Sequence, residues 1–142
     1  MHHDDPAAVA QMRSARPASR GPVRAYDWIA SHRSHRAAKE AVRELASGRR
    51  FTYADLDRRA DALAAWLRSA GVGRGDRVAL LAHNGVEYFD LQSACVRTGA
   101  IAVLLNWRLT APELEYILND SAPKVLIHDV EFADTASTLQ AR

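Results

Sequence analysis

The chain has 142 residues, 48% of them hydrophobic and 25% charged, with a formal net charge of +2; these are ordinary values for one globular domain. No uninterrupted apolar run exceeds six residues, the length of the run from Ala100 to Leu105. A spanning helix needs about 20, so no membrane span is predicted, and the amino terminus lacks the apolar core of a secretory signal.

The charge is unevenly spread. Residues 1–50 hold ten Lys/Arg and five Asp/Glu, and the remainder holds nine and twelve. The basic excess includes Arg13, Arg16, Arg20 and Arg24, set among Pro, Ser and Ala with no aromatic before Tyr26. A nucleic-acid surface needs a basic stripe with stacking aromatics, so that class is set aside and a solvated tail is expected. Residues 1–23, with Pro6, Pro17, Gly21 and Pro22, show no apolar periodicity and are predicted to be a disordered tail. The ordered segment is expected over 24–142.

In chain order, Asp27 to Arg36 reads as a short helix with one apolar edge. Glu40 to Leu45 and Arg49 to Tyr53 flank Ser47 and Gly48, which predicts a hairpin. Thr52 is suited to cap the next helix, with Asp55 three residues on as a variant capping box. Leu56, Ala60, Leu63, Ala64, Leu67 and Ala70 follow at helical spacing, and Gly71 ends the helix. Arg77 to Ala82 is a buried-type strand, Val86 to Thr98 a helix closed by Gly99, and Ala100 to Leu105 a second buried strand. Thr110 and Glu113 form a capping box, with Pro112 tolerated in the first turn. The helix they open runs to about Asn119. Lys124 to His128 is a third strand, and Glu131 to Arg142 begins another helical pattern. The fold class is therefore α/β, a partial parallel sheet with flanking helices. Three parallel strands cannot be covered on both faces and both edges by these helices alone. The segment reads as the opening part of a larger domain, with pairing through an exposed sheet edge as one consequence.

Several residue groups invite a chemical reading. Gly71, Gly73 and Gly75 precede a strand and follow a helix, the reverse of a dinucleotide fingerprint, so they are read as a cap and turn. His32 and His35 could share a helix face, but no further ligands stand at metal-site spacing. Cys95, the single cysteine, lies within a helix; it is read as packing, and its isolation fits a cytoplasmic location. Asp55, Asp57 and Asp61 with Arg58 and Arg59 read as an exposed helix surface. The polar residues after the strands are better placed: His83 and Asn84, then Asn106, Trp107 and Arg108, then His128 and Asp129. In open parallel sheets ligands bind beyond the carboxyl ends of the strands. The same residues also fit ordinary turn and cap roles.

Five segments carry a family resemblance. FTYADL (Phe51 to Leu56) is similar to the Leu-Ser/Thr-Tyr-x-Glu-Leu motif of the adenylate-forming acid–thiol ligases, the acyl-CoA synthetases and their relatives. RTGAIAVLLN (Arg97 to Asn106) is similar to their Lys/Arg-x-Gly-Ala opening and apolar strand. GVGRGDRVAL and HNGVEYFDL match the pattern between, and NWRLTAPELEYIL the pattern beyond. The departures are Leu104, where the family commonly has proline, and Asp55, where it commonly has glutamate.

The resemblance implies the amino-terminal part of the large domain of an acyl-CoA synthetase-like fold. It also implies a two-step reaction: a fatty or aromatic carboxylic acid is activated by ATP to an acyl-adenylate, then transferred to coenzyme A. Such chemistry joins two anions and needs phosphate-aimed donors and Mg²⁺. No stretch matches the family's Ser/Thr/Gly-rich loop, ribose-binding aspartate or carboxy-terminal lysine, so no catalytic residue is expected. By the same resemblance Arg108 is a candidate contact for a phosphate of coenzyme A. Two alternatives stay open: a non-catalytic truncated α/β interaction module and a free-standing nucleotide-binding protein.

Overall fold

The computed structural model describes residues 26–140; the predicted tail lies outside them. Helix α1 (Trp28–Arg36) leads into strands β1 (Glu40–Arg43) and β2 (Arg50–Thr52), then α2 (Tyr53–Ser69). Three strands follow, β3 (Arg77–Leu81), β4 (Ile101–Leu105) and β5 (Val125–His128). They are joined by α3 (Val86–Thr98) and α4 (Ala111–Ser121). A short 3-10 turn at Val130–Phe132 leads into α5 (Ala133–Gln140).

The predicted hairpin is present: β1 and β2 pair antiparallel, with Gly48 at φ +72 in the turn. The poor strand formers of β1 are held by what lies beneath. Ala41, Val42 and Phe51 pack on buried Ile29, Leu56 and Val86. Thr52 closes the expected box. Its hydroxyl accepts the Asp55 N–H at 3.2 Å, and the Asp55 carboxylate accepts the Thr52 N–H at 2.9 Å.

The sheet has the order β4-β3-β5, all parallel. The first strand in sequence is thus the central one. Val78, Leu80 and Ala82 face α2 and α3 through Ala64, Leu67, Leu91 and Ala94. Ala79 and Leu81 face α4 and α5 through Leu114, Ile117, Leu118 and Leu139. Burial on both faces explains why β3 is a continuous apolar run. The predicted burial of the second strand is corrected in part. β4 is an edge strand, and Ile101 and Leu104 are 52% and 53% exposed, because no strand pairs with its outer edge among the described residues.

The exposed surface expected of Asp55, Asp57 and Asp61 with Arg58 and Arg59 is corrected in part: Arg58 and Asp61 are exposed, but Asp57 and Arg59 are tied to α3. Asp57 is buried against Arg97 of α3, and Arg59 grips Asp90 at 2.6 Å. Burial pushes the Asp90 carboxyl above its ordinary range, although Arg59 opposes the shift. The glycine turn is a cap: Gly71 and Gly75 take φ of +77 and +84, and the Gly73 N–H donates to Asp76 at 2.8 Å.

Candidate functional site

The three strand ends form one group. The His83 N–H after β3 donates to the Asp129 carboxylate after β5 at 2.9 Å, and the Asp129 N–H donates to the Leu81 carbonyl at 3.1 Å. The His83 ring meets Trp107 after β4, ring centres 4.3 Å apart and 68° inclined. Its other side lies 5.2 Å from Phe132, and its Nε2 contacts the Glu131 carboxylate.

Arg108 completes the row. Its guanidinium carbon sits 4.1 Å from the centre of the Trp107 ring, a cation–π contact. Its own N–H donates to the Asn106 side chain at 3.1 Å, and a turn from Asn106 to Leu109 fixes the backbone. Among the described residues no carboxylate lies within ion-pair distance of Arg108, which is exposed. A guanidinium stacked on a ring face and exposed to solvent presents its planar edge outward.

Of the residues singled out by sequence, the fold brings His83, Asn106, Trp107, Arg108 and Asp129 together. Asn84 lines an open cleft of about 610 Å³ between the hairpin and the β3–α3 turn, bordered by Val42, Glu44, Arg49 and Gly85 and also by His83 and Asp129 of this group. The His128 ring nitrogen turns to the Asp129 carbonyl at 2.9 Å. His32 packs on the Tyr53 ring at 4.9 Å. Glu131 and Phe132 were not expected here. They read as the start of a helical pattern, and only the 3-10 turn after β5 directs them back to His83.

Glu44 at the cleft was also missed. Its carboxylate accepts from Arg49 at 2.6 Å, from the Ser47 hydroxyl at 2.6 Å and from the Val86 N–H at 3.2 Å. These bonds hold its pKa down to about 2, Arg49 contributing most. Gly85 has no side chain to cap α3, so Glu44 supplies the carboxylate from the hairpin, where a helix amino terminus favours one. Cys95 is buried in α3, and desolvation pushes its thiol up to about 11, consistent with packing.

The chain is similar to several known proteins. The feruloyl-CoA synthase of an Amycolatopsis species is 45% identical over 109 residues, covering 77% of this chain and 22% of that protein. The long-chain-fatty-acid–CoA ligase FadD13 of Mycobacterium tuberculosis is 39% identical over 103 residues, covering 72% and 20%. The chain thus spans about a fifth of the length of these curated relatives. Among solved structures, the N-terminal domain of FACL13 from Mycobacterium tuberculosis superposes with a TM-score of 0.77 at 35% identity. That match covers 82% of this chain and 29% of that one. The anthranilate CoA ligase AuaEII, in complex with anthranoyl-AMP, gives 0.77 at 29% identity, covering 85% and 23%. No helix among the described residues is long and apolar enough to cross a membrane. The family model described as AMP-binding enzyme matches residues 28–142, nearly all of the chain described here, and the chain belongs to that family.

Proposed function

We propose that this chain supplies the amino-terminal scaffold of an AMP-forming acyl-CoA ligase, an enzyme that activates a fatty or aromatic acid with ATP and transfers the acyl group to coenzyme A in the cytoplasm. The observation that carries the reading is the match over residues 28–142, joined to relatives that make feruloyl-CoA and long-chain acyl-CoA.

Within that reaction the chain's own part is structural and, at one point, ligand-binding. The sheet fixes the strand ends, the Trp107 ring supports Arg108, and Arg108 takes a phosphate of coenzyme A. That cation is exposed and ring-supported, which fits a phosphate. ATP and Mg²⁺ would supply α-phosphate activation and charge neutralisation; no residue of this chain is assigned to them. The isolated chain is accordingly expected to be inactive in ATP–pyrophosphate exchange.

A grafting experiment tests the reading. Residues 28–142 replace the matching segment of the feruloyl-CoA synthase, and both half-reactions are measured. The graft is expected to form adenylate and thioester. Arg108→Ala in the graft raises the apparent KM for coenzyme A roughly tenfold, the loss of one charge-assisted phosphate contact, and leaves adenylate formation unchanged. A folded graft without ligase activity, or unchanged coenzyme A kinetics in the variant, refutes the corresponding part.

A further inference from the structure

Residues from the carboxyl ends of three strands sit in series. Arg108 rests on the Trp107 ring, its guanidinium carbon 4.1 Å from the ring centre. Trp107 meets the His83 ring at 4.3 Å and 68°, an edge-to-face arrangement. His83 in turn is held from the end of β5. Its N–H donates to the Asp129 carboxylate at 2.9 Å, its Nε2 contacts the Glu131 carboxylate, and the Phe132 ring lies 5.2 Å away.

Trp107 needs such a neighbour. It follows the edge strand β4, and its ring is only partly buried against the cluster that includes Leu81, Leu105 and Leu114. The turn from Asn106 to Leu109 fixes its backbone, which leaves the side-chain torsions to be set by packing. A ring free to turn would carry Arg108 with it. A long cationic side chain loses rotamer freedom when it grips a ligand, and a guanidinium already held in place loses less.

We propose that His83 is a positioning residue for the coenzyme A step: anchored by the residues after β5, its ring sets Trp107 after β4 and, through Trp107, the guanidinium of Arg108. The inference rests on the proposed function, and the experiment separates the two.

Nuclear magnetic resonance on the complete 142-residue chain reads the positioning without any graft. Cross-peaks are expected between the His83 and Trp107 rings, with the Arg108 side-chain protons shifted upfield by the indole face. His83→Ala moves the Trp107 indole resonances and returns the Arg108 protons toward the values of a free arginine. His83→Phe, which keeps a ring beside Trp107, holds both near their original values. Glu131→Ala, at a side chain 56% exposed, releases Nε2 without touching the core and moves the same signals in the same direction by less. Trp107 and Arg108 signals that stay in place in both alanine variants overturn the inference, whatever the graft does.

Kinetics in the feruloyl-CoA synthase graft read the consequence. His83→Ala raises the apparent KM for coenzyme A roughly threefold, the loss of one aromatic contact, with adenylate formation unchanged, and His83→Phe restores it. In an Arg108→Ala background, His83→Ala adds no further rise, because it acts through that guanidinium. The same rise with and without Arg108 overturns the inference. A raised KM in Arg108→Ala with unchanged coenzyme A kinetics in His83→Ala also overturns it and leaves the function standing. A folded graft without ligase activity removes the function, and the coenzyme A role of His83 with it.

Discussion

Arg97 Nη2 lies 2.8 Å from Asp57 Oδ1, with both side chains only 11% exposed. The same guanidinium reaches Asp27 at 2.7 Å and Asp61 at 2.7 Å, and donates to the Asp57 carbonyl at 2.9 Å. One side chain of α3 therefore ties down the start of α1 and the middle of α2. Truncating it leaves Asp57 buried with only Arg33, at 3.1 Å and largely exposed, to balance it. Arg97→Met should destabilise the chain by roughly 3 kcal/mol, the cost of breaking a buried pair from one side. Asp61→Ala, at a carboxylate 70% exposed, should cost under about 1 kcal/mol. Urea unfolding of the two variants checks the contrast; equal losses would contradict the assignment.

The two capping boxes make a second comparison. Thr52→Ala removes the acceptor for the Asp55 N–H and should cost about 1 kcal/mol. Glu113→Ala removes the acceptor for the Thr110 N–H at 2.8 Å and should cost a similar amount or less at its exposed site. Thermal melts followed by circular dichroism measure both.

Glycine 99 and glycine 48 share a left-handed backbone, φ +76 and +72, but differ in surroundings. A Cβ at Gly99 would meet Arg74 Cβ at 3.2 Å and its Cα at 3.4 Å, whereas a Cβ at Gly48 meets nothing within 4 Å. Gly48→Ala should cost about 1 kcal/mol of backbone strain alone. Gly99→Ala should cost measurably more, because the turn after Val72 must shift as well. The ranking is read from chemical denaturation midpoints.

Glu44 gives a pH dependence with a definite sign. Its folded pKa of about 2 lies below the ordinary 4.5. The stabilisation it brings is complete above the ordinary value and is lost as pH falls from about 4.5 through 2. Side-chain carboxyl NMR should show its midpoint near 2. Glu44→Gln should flatten that part of the stability curve and loosen the hairpin over α3. A midpoint above 4 would mean that the Arg49 and Val86 bonds are not made in solution.

Cys95 offers a direct check on packing. With its thiol raised to about 11 and buried, the native chain should react with a thiol-specific disulfide reagent only through unfolding, many-fold slower than denatured protein at pH 8. Rapid reaction in the native state would place Cys95 at the surface.

The legible parts of this protein are those governed by neighbours in sequence. Thr52 with Asp55, Thr110 with Glu113, and Gly99 after Thr98 mark helix ends through bonds spanning three or four residues. The run from Val86 to Thr98 emerges as a helix with those same limits. The hairpin was legible from Ser47 and Gly48, although its strand composition argued weakly for it. The alternation of strands and helices was enough for a parallel sheet, because parallel strands require a crossover between them.

What sequence order did not contain was which strand lies in the middle. The buried character of Ala100 to Leu105 pointed to an interior strand, yet β3 takes the centre and β4 the edge, since only packing of α2, α3, α4 and α5 decides which run is covered twice. The charged residues of α2 looked solvated for the same reason: Arg97 approaches Asp57 and Asp61, and Asp90 approaches Arg59, from α3, more than thirty residues away. Local bonds along the chain thus determined the elements and the family motifs. Tertiary structure alone decided that His83, Trp107, Arg108 and Glu131 meet, because three strands distant in sequence bring their carboxyl ends to one side of the sheet.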